Sequence, residues 1–346
     1  KNMRLSDFDY ALPDSFIAKD PANPRDSAKL LVFDSKTLAV KHCLFRDIVN
    51  YLSSKDVLVL NRSKVIKARI LFDGCEIFLL KCVADNVYEC LVKPGRKFKK
   101  GLKVPVKKNN STFIFEILDI LPDGTRVVRF HSDRDIESFG EAPFPPYIKG
   151  SQASLDDYQT VYAVEKGSVA SPTAGLHYTD ELLRKLKSNG VDVETVLLHV
   201  GLGTFLPVRT DDVTDHEMHS EFFQIDDTTT EKLNRAKNAG KNIVAVGTTS
   251  VRVLETSCEK GILKPKAADT NIFIYPGYQW KFTDKLITNF HLPKSTLIML
   301  VASFIEYKCQ QHGLKIDGTK KILELYEIAK KNEYRFFSFG DAMIII

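Results

Sequence analysis

Residues 179–198, TDELLRKLKSNGVDVETVLL, decide the fold. Thr179 is a hydroxyl residue suited to cap a helix, and Leu182, Leu183 and Leu186 recur behind it at helical spacing. Asn189-Gly190 is a stop signal. Residues 191–198 then read as a β-strand. The pattern recurs downstream: a helix over about 229–239 ending at Gly240, a short buried strand over 243–246, and a helix over about 251–260 ending at Gly261. Strand and helix in alternation predict an α/β fold around a mostly parallel sheet. Two later helices are predicted, at about 295–307 and 320–331, the first apolar enough to be buried.

Upstream the texture changes. Short β-rich runs at 75–80, 87–92, 112–117 and 126–130 are separated by turn residues, as in Lys93-Pro94-Gly95 and Pro122-Asp123-Gly124. That spacing predicts a small antiparallel barrel or sandwich. Residues 30–33 and 57–60 return to the α/β texture. The expected organisation is an α/β catalytic domain built from 1–66 and 151–346, with an antiparallel β-barrel domain, 67–150, inserted into it.

The chain has 346 residues, enough for about two domains. With 44% hydrophobic and 27% charged residues, it cannot be broadly disordered. A net charge of +5 is too small to name a partner, but its distribution is uneven. Residues 93–108 carry Lys93, Arg96, Lys97, Lys99, Lys100, Lys103, Lys107 and Lys108 with no acid among them. Such a block is either a solvated turn or a seat for a phosphate backbone. Six scattered cysteines without a C-x-x-C pair predict reduced thiols. No apolar run approaches the roughly 18–20 residues that span a bilayer, and the first residues lack signal-peptide character. A cytoplasmic protein with no membrane partner is expected.

Several stretches can carry chemistry. Residues 246–250, VGTTS, join a strand to a helix; such a junction either attracts anions or is simply capped. Arg252, one turn on, can clamp a carboxylate. Residues 200–205, VGLGTF, lack the third glycine of a dinucleotide loop. His216 and His219 are three apart, unlike H-E-x-x-H, so no metal is expected. His177, His199, His219 and His291 lie in loop-like settings near strand ends, where open α/β sheets bind ligands. A histidine there can exchange protons near neutral pH.

The same stretches resemble the S-adenosylmethionine:tRNA ribosyltransferase-isomerase family of the queuosine pathway. The matching segments include FDYALP (8–13), YQTVYA (158–163), GSVASPTAGLH (167–177), LHVGLGTF (198–205), MHSE (218–221), AVGTTSVR (245–252), IYPGY (274–278), TNFHLPKST (288–296) and YRFFSFGDAM (334–343). They stand in family order over almost the whole chain. Arg62, Ser63, Lys64 and Lys67 depart from the family pattern, as do Ser171 and Asp157, so Arg62 and Lys64 are given no catalytic role.

The resemblance implies transfer and isomerisation of the ribosyl moiety of S-adenosylmethionine onto 7-aminomethyl-7-deazaguanine at the wobble position of tRNA. Adenine and methionine are released. S-adenosylmethionine is a consumed cosubstrate, with no other cofactor and no metal. A monomer is expected. The chemistry needs a base for the carbon beside the sulfonium, a proton donor for adenine and a neutral attacking amine. His177, His199, His219, Glu221 and His291 are the pool for these roles, with His177 and His291 foremost. Thr173, Gly175, Gly201, Gly203, Thr204, Thr248, Thr249, Arg252, Asn289, Arg335 and Asp341 are expected to bind substrate. Tyr10, Tyr147, Tyr278 and Phe290 are candidates to stack on bases. Lys93, Arg96, Lys97, Lys99 and Lys100 are expected to hold tRNA phosphates. Two other readings compete: a methyltransferase-like enzyme using the same cosubstrate, and a non-catalytic RNA-binding module.

Overall fold

In the computed structural model the described residues are 3–148, 150–205 and 207–346, the side chains of 204 and 205 excepted. Thr179 Oγ1 accepts from Leu182 N at 3.0 Å and starts helix α1, Asp180–Ser188. Leu182 and Leu186 are buried, each contributing about 1.5–3 kcal/mol by leaving water. The strand Asp192–Leu198 follows and pairs in parallel with Asp56–Asn61. Asp56–Asn61 pairs in parallel with Asn242–Val246, and that strand with Lys285–Asn289.

These four strands are the centre of a nine-stranded mixed sheet. On one side it continues antiparallel through Glu221–Ile225 and Lys266–Thr270. On the other side Ala342–Ile345 lies antiparallel to Lys285–Asn289 and parallel to Lys29–Phe33, and Val40–Leu44 closes the edge. The fold is α/β, as the alternation predicts.

Alternation along each strand feeds two cores. Val57, Val59, Val196 and Leu198 pack on the face carrying α2 (Asp227–Asn238), α3 (Thr248–Ser257), α4 (Thr296–Gln311) and α5 (Gly318–Lys331). Leu58, Leu60, Val244 and Val246 pack on the opposite face against α1. One expected boundary moves. α3 ends at Ser257 because Cys258–Glu259 turns to pair with Ile262–Leu263. Lys260 and Gly261, at φ +50° and +80°, form the two-residue turn, so Gly261 closes a hairpin rather than a helix.

The second sheet has six antiparallel strands, in the order Arg69–Phe72, Cys75–Ala84, Val87–Lys93, Arg126–His131, Ser111–Ile120, Lys103–Lys108. It curls almost into a barrel: Lys108 Nζ donates to Leu71 O at 2.8 Å across the remaining gap. Phe72 meets Phe113 and Phe115 across the interior. Two of the six strands, Arg69–Phe72 and Lys103–Lys108, were not expected. In the latter, Val104 and Val106 turn inward while Lys103, Pro105 and Lys107 face water, so a charge run conceals a strand. Val169 and Leu202 join this core from the loops of the larger sheet.

Candidate active site

Loops leaving the C-terminal ends of the central parallel strands converge, the usual place for a ligand in an open α/β sheet. They form a two-lobed cleft. The main lobe is a narrow pocket open to solvent at its mouth. Thr173, Thr248, Thr249, Asn289 and His291 line it, with Ser171, Thr288 and Ser338. Tyr147 and Phe337 form one wall, stacked at 4.1 Å and 19°. The smaller lobe shares Thr248 and Thr249 and adds Gly203, His219, Glu221 and Arg252. Gly203 is required by close approach: a Cβ there would meet the His219 ring at 2.5 Å.

Glu221 and Arg252 are engaged with each other. Arg252 Nη1 donates to Glu221 Oε2, and both residues are about 95% buried. Glu221 Oε1 accepts from Gly201 N at 2.7 Å, and Arg252 Nη2 reaches Thr270 O at 3.4 Å. A guanidinium held this way does not stand open as a carboxylate clamp.

His177, a foremost candidate, lies behind the cleft rather than on it. It is 4% exposed, its ring packs on Phe45 at 4.9 Å, and its Nε2 is 2.7 Å from Asn289 Oδ1. Asn289 Nδ2 donates to Phe337 O and Ser338 O, at 3.2 and 3.3 Å. Both amide hydrogens are therefore committed, Oδ1 must be the atom facing His177, and the proton sits on Nε2. Burial lowers the His177 pKa, offset in part by this bond. His177 thus holds Asn289, which in turn holds the Phe337-Ser338 wall.

His291 lines the main lobe, with Nε2 2.7 Å from Thr288 Oγ1. Burial pushes its pKa down to about 3, so the ring is neutral near pH 7. His199 lines neither lobe. Its Nδ1 is 2.8 Å from Ser63 Oγ, its ring stacks on Phe222, and Gly167 lies close against it. Burial lowers its pKa, with Glu165 opposing and Arg62 assisting.

Gly175 also lies outside the cleft: a Cβ there would strike the Tyr162 hydroxyl. Asp341 is 2% exposed and accepts from Lys29 N and Arg335 N, at 2.8 and 2.7 Å. Arg335 donates to Asp20 O at 3.0 Å. These two tie down the loop that carries Phe337 and Ser338 and do not line the cleft. The Thr204 side chain lies outside the described residues. Among the stacking candidates, Tyr147 lines the cleft, while Tyr10 sits beneath it and donates to His291 O. Phe290 contributes to the lining and is buried among Tyr326, Tyr334 and Phe336; Tyr278 packs on Trp280.

Lys93, Arg96, Lys97, Lys99 and Lys100 are all exposed on the barrel-like sheet. Lys100 pairs with Asp119 at 2.9 Å, an exposed contact of little strength. Among the described residues no group of three or more His, Cys, Asp or Glu side chains is placed to hold a metal ion.

One cleft-organising residue was not anticipated. Asn61 ends the Asp56–Asn61 strand fully buried. Its Nδ2 donates to Leu198 O and Thr249 Oγ1, and its Oδ1 accepts from Leu198 N and Ser63 N. The available signal was a polar residue closing an apolar strand at the ligand end of the sheet.

Comparison with known proteins places this architecture. A family model described as queuosine biosynthesis protein matches residues 5–345. A protein of Clostridioides difficile named S-adenosylmethionine:tRNA ribosyltransferase-isomerase is 46% identical over 354 residues, covering 99% of this chain and 100% of its own. A protein of the same name from Sulfurihydrogenibium is 47% identical over 355 residues, with 99% and 100% coverage. The crystal structure of an S-adenosylmethionine tRNA ribosyltransferase from Thermotoga maritima matches with TM-score 0.57 and 38% identity, over 98% of this chain and 100% of that one. The chain belongs to the queuosine biosynthesis protein family.

Proposed function

We propose that this chain is a transferase-isomerase that moves the ribosyl moiety of S-adenosylmethionine onto tRNA and rearranges it. The acceptor is 7-aminomethyl-7-deazaguanine at the wobble position, the product is epoxyqueuosine-tRNA, and adenine and methionine leave. S-adenosylmethionine is consumed, and the reading calls on no metal and no further cofactor. The enzyme works as a cytoplasmic monomer, with residues 67–150 as an inserted domain that docks the RNA. In support, no helix among the described residues is long and apolar enough to cross a membrane. The observation that carries the reading is the two-lobed cleft, walled almost entirely by segments matching the family.

The cleft divides the chemistry. The main lobe, walled by Tyr147, Phe290 and Phe337, suits the flat adenosyl group. The smaller lobe, with His219 beside the Glu221–Arg252 pair, is where the sulfonium-bearing carbon meets a base. His219 is exposed and takes that proton. His291 and Thr288, hydrogen-bonded together in the main lobe, offer the departing adenine a neutral hydrogen-bond donor rather than a transferable proton. The exposed lysines of the barrel-like sheet hold tRNA phosphates.

The test is release of free adenine on mixing S-adenosylmethionine with tRNA bearing the aminomethyl-deazaguanine base. Ribosyl label reaches RNA, while methyl label stays with methionine. Methyl label in RNA would make the chain a methyltransferase, and no adenine release would leave an RNA-binding module. His219→Ala lowers turnover by roughly 10²–10⁴-fold with tRNA binding unchanged; turnover within a few-fold of wild type removes His219 as the base.

A further inference from the structure

The start of α3 is a donor-rich corner of the cleft with no side-chain acceptor among the described residues. Gly247 precedes it at φ +87°, with no side chain capping the helix. The first intrahelical bond runs from Val251 N to Gly247 O at 3.3 Å. The N–H groups of Thr248, Thr249 and Ser250 come before it and lack helical acceptors. Gly247, Thr248 and Thr249 all line the main lobe.

Two side chains that line this lobe bring hydroxyls to it. Ser171, 6% exposed, lines the same lobe, and its Oγ has no partner among the described residues. Thr249, 8% exposed, is oriented by Asn61, whose Nδ2 donates to Thr249 Oγ1 at 3.1 Å. Asn61 Oδ1 already accepts from Leu198 N and Ser63 N, at 3.0 and 3.2 Å, so it does not take the threonine proton. The Thr249 hydroxyl is thereby set as a donor toward the cleft. The neighbouring Glu221 carboxylate is balanced by Arg252 and Gly201 N, so it does not oppose an anion here.

We propose that the N-terminus of α3, with the hydroxyls of Thr249 and Ser171, seats the carboxylate of the methionyl group of S-adenosylmethionine, and that Asn61 is the positioning residue that turns Thr249 toward it. This rests on the functional reading above and names the subsite within it. Backbone N–H groups and hydroxyls surrounding a carboxylate form charge-assisted hydrogen bonds, and the helix dipole favours the negative charge. The carboxylate so placed fixes which end of the cosubstrate lies between the two lobes.

The experiment compares binding of S-adenosylmethionine with that of its decarboxylated analogue, which keeps adenosine, sulfonium and amine, by titration calorimetry on the full chain. The wild type binds the analogue about 10- to 100-fold more weakly. Thr249→Val, Ser171→Ala and Asn61→Asp each shrink that ratio by weakening S-adenosylmethionine alone, whereas Thr249→Ser preserves it. In Asn61→Asp the carboxylate accepts the Thr249 hydroxyl and withdraws the donor. Should Asn61→Asp fail to fold, the Thr249→Val and Ser171→Ala arms decide the matter. Equal wild-type affinity for both ligands, or equal weakening of both in the Thr249 and Ser171 variants, overturns the subsite while leaving the ribosyl-transfer reading in place. Binding of neither ligand overturns both.

Discussion

His177 and Asn289 show how a hydrogen-bond inventory separates a base from a brace. A base needs a lone pair facing substrate, but the His177 Nε2 proton is given to Asn289, whose own donors hold the Phe337 and Ser338 carbonyls. His177→Gln, which can still donate to Asn289, is therefore expected to keep KM for S-adenosylmethionine near wild type. His177→Ala, which leaves that buried acceptor unpaired, raises it about tenfold with an unchanged pH profile. Steady-state kinetics of both variants check this; a Gln variant as inactive as Ala makes His177 a candidate base again. At this scale the sequence was legible for residue type and blind to partnership. Thr248, Thr249, Asn289 and His291 line the main lobe. Arg252, Arg335 and Asp341, expected to bind substrate, have partners within the protein that the sequence did not show: Glu221, Asp20 O and backbone N–H groups. Asn61 escaped notice because its importance lies in four bonds to residues remote from it in sequence or hidden in a turn.

Secondary-structure elements were more legible where periodicity and punctuation agree. α1 begins after its Thr179 cap and ends before Asn189, and the Asp192–Leu198 strand lies one residue from its expected start. Legibility failed where one signal masked another. Gly261 looks like a helix stop but serves a hairpin, and the lysines of Lys103–Lys108 hide the inward alternation of Val104 and Val106. That strand and the preceding turn present the exposed cations together on one sheet. Replacing Arg96, Lys97, Lys99 and Lys103 with Glu is expected to raise KM for tRNA. It also flattens the salt dependence, by roughly 0.7–0.9 in log–log slope for each phosphate left without its cation. Binding titrations from low to moderate salt measure the slope, and an unaltered slope removes this surface from the RNA interface.

For the whole molecule, the fold class followed from alternation because local strand–helix units are written locally. The mixed character of the sheet did not, since strand direction is set by pairing partners far apart in the chain. Three histidines, His177, His199 and His291, are held by burial below their ordinary pKa. The unfolded chain binds protons near pH 6.5 that these folded sites refuse, so stability is full above that pH and declines as pH falls below it. Each such site adds up to about 1.4 kcal/mol per pH unit, and for His291 the window runs from about 6.5 down to about 3. Urea unfolding at pH 7.5 and 5 is expected to show the decline, reduced in His291→Asn; an equal decline in that variant removes His291 as a source.

The position of Ala342–Ile345 sets a timetable for biosynthesis. It fills the slot between Lys285–Asn289 and Lys29–Phe33, one strand made early and one made late, and it leaves the ribosome after both. Until it arrives, each neighbour offers a bare row of N–H and C=O groups beside apolar side chains, the template on which nascent chains stick to one another. A message cut short just before the codon for Ala342 thus encodes every cleft-lining residue named above, yet its product is first an aggregation hazard and only second a failed catalyst.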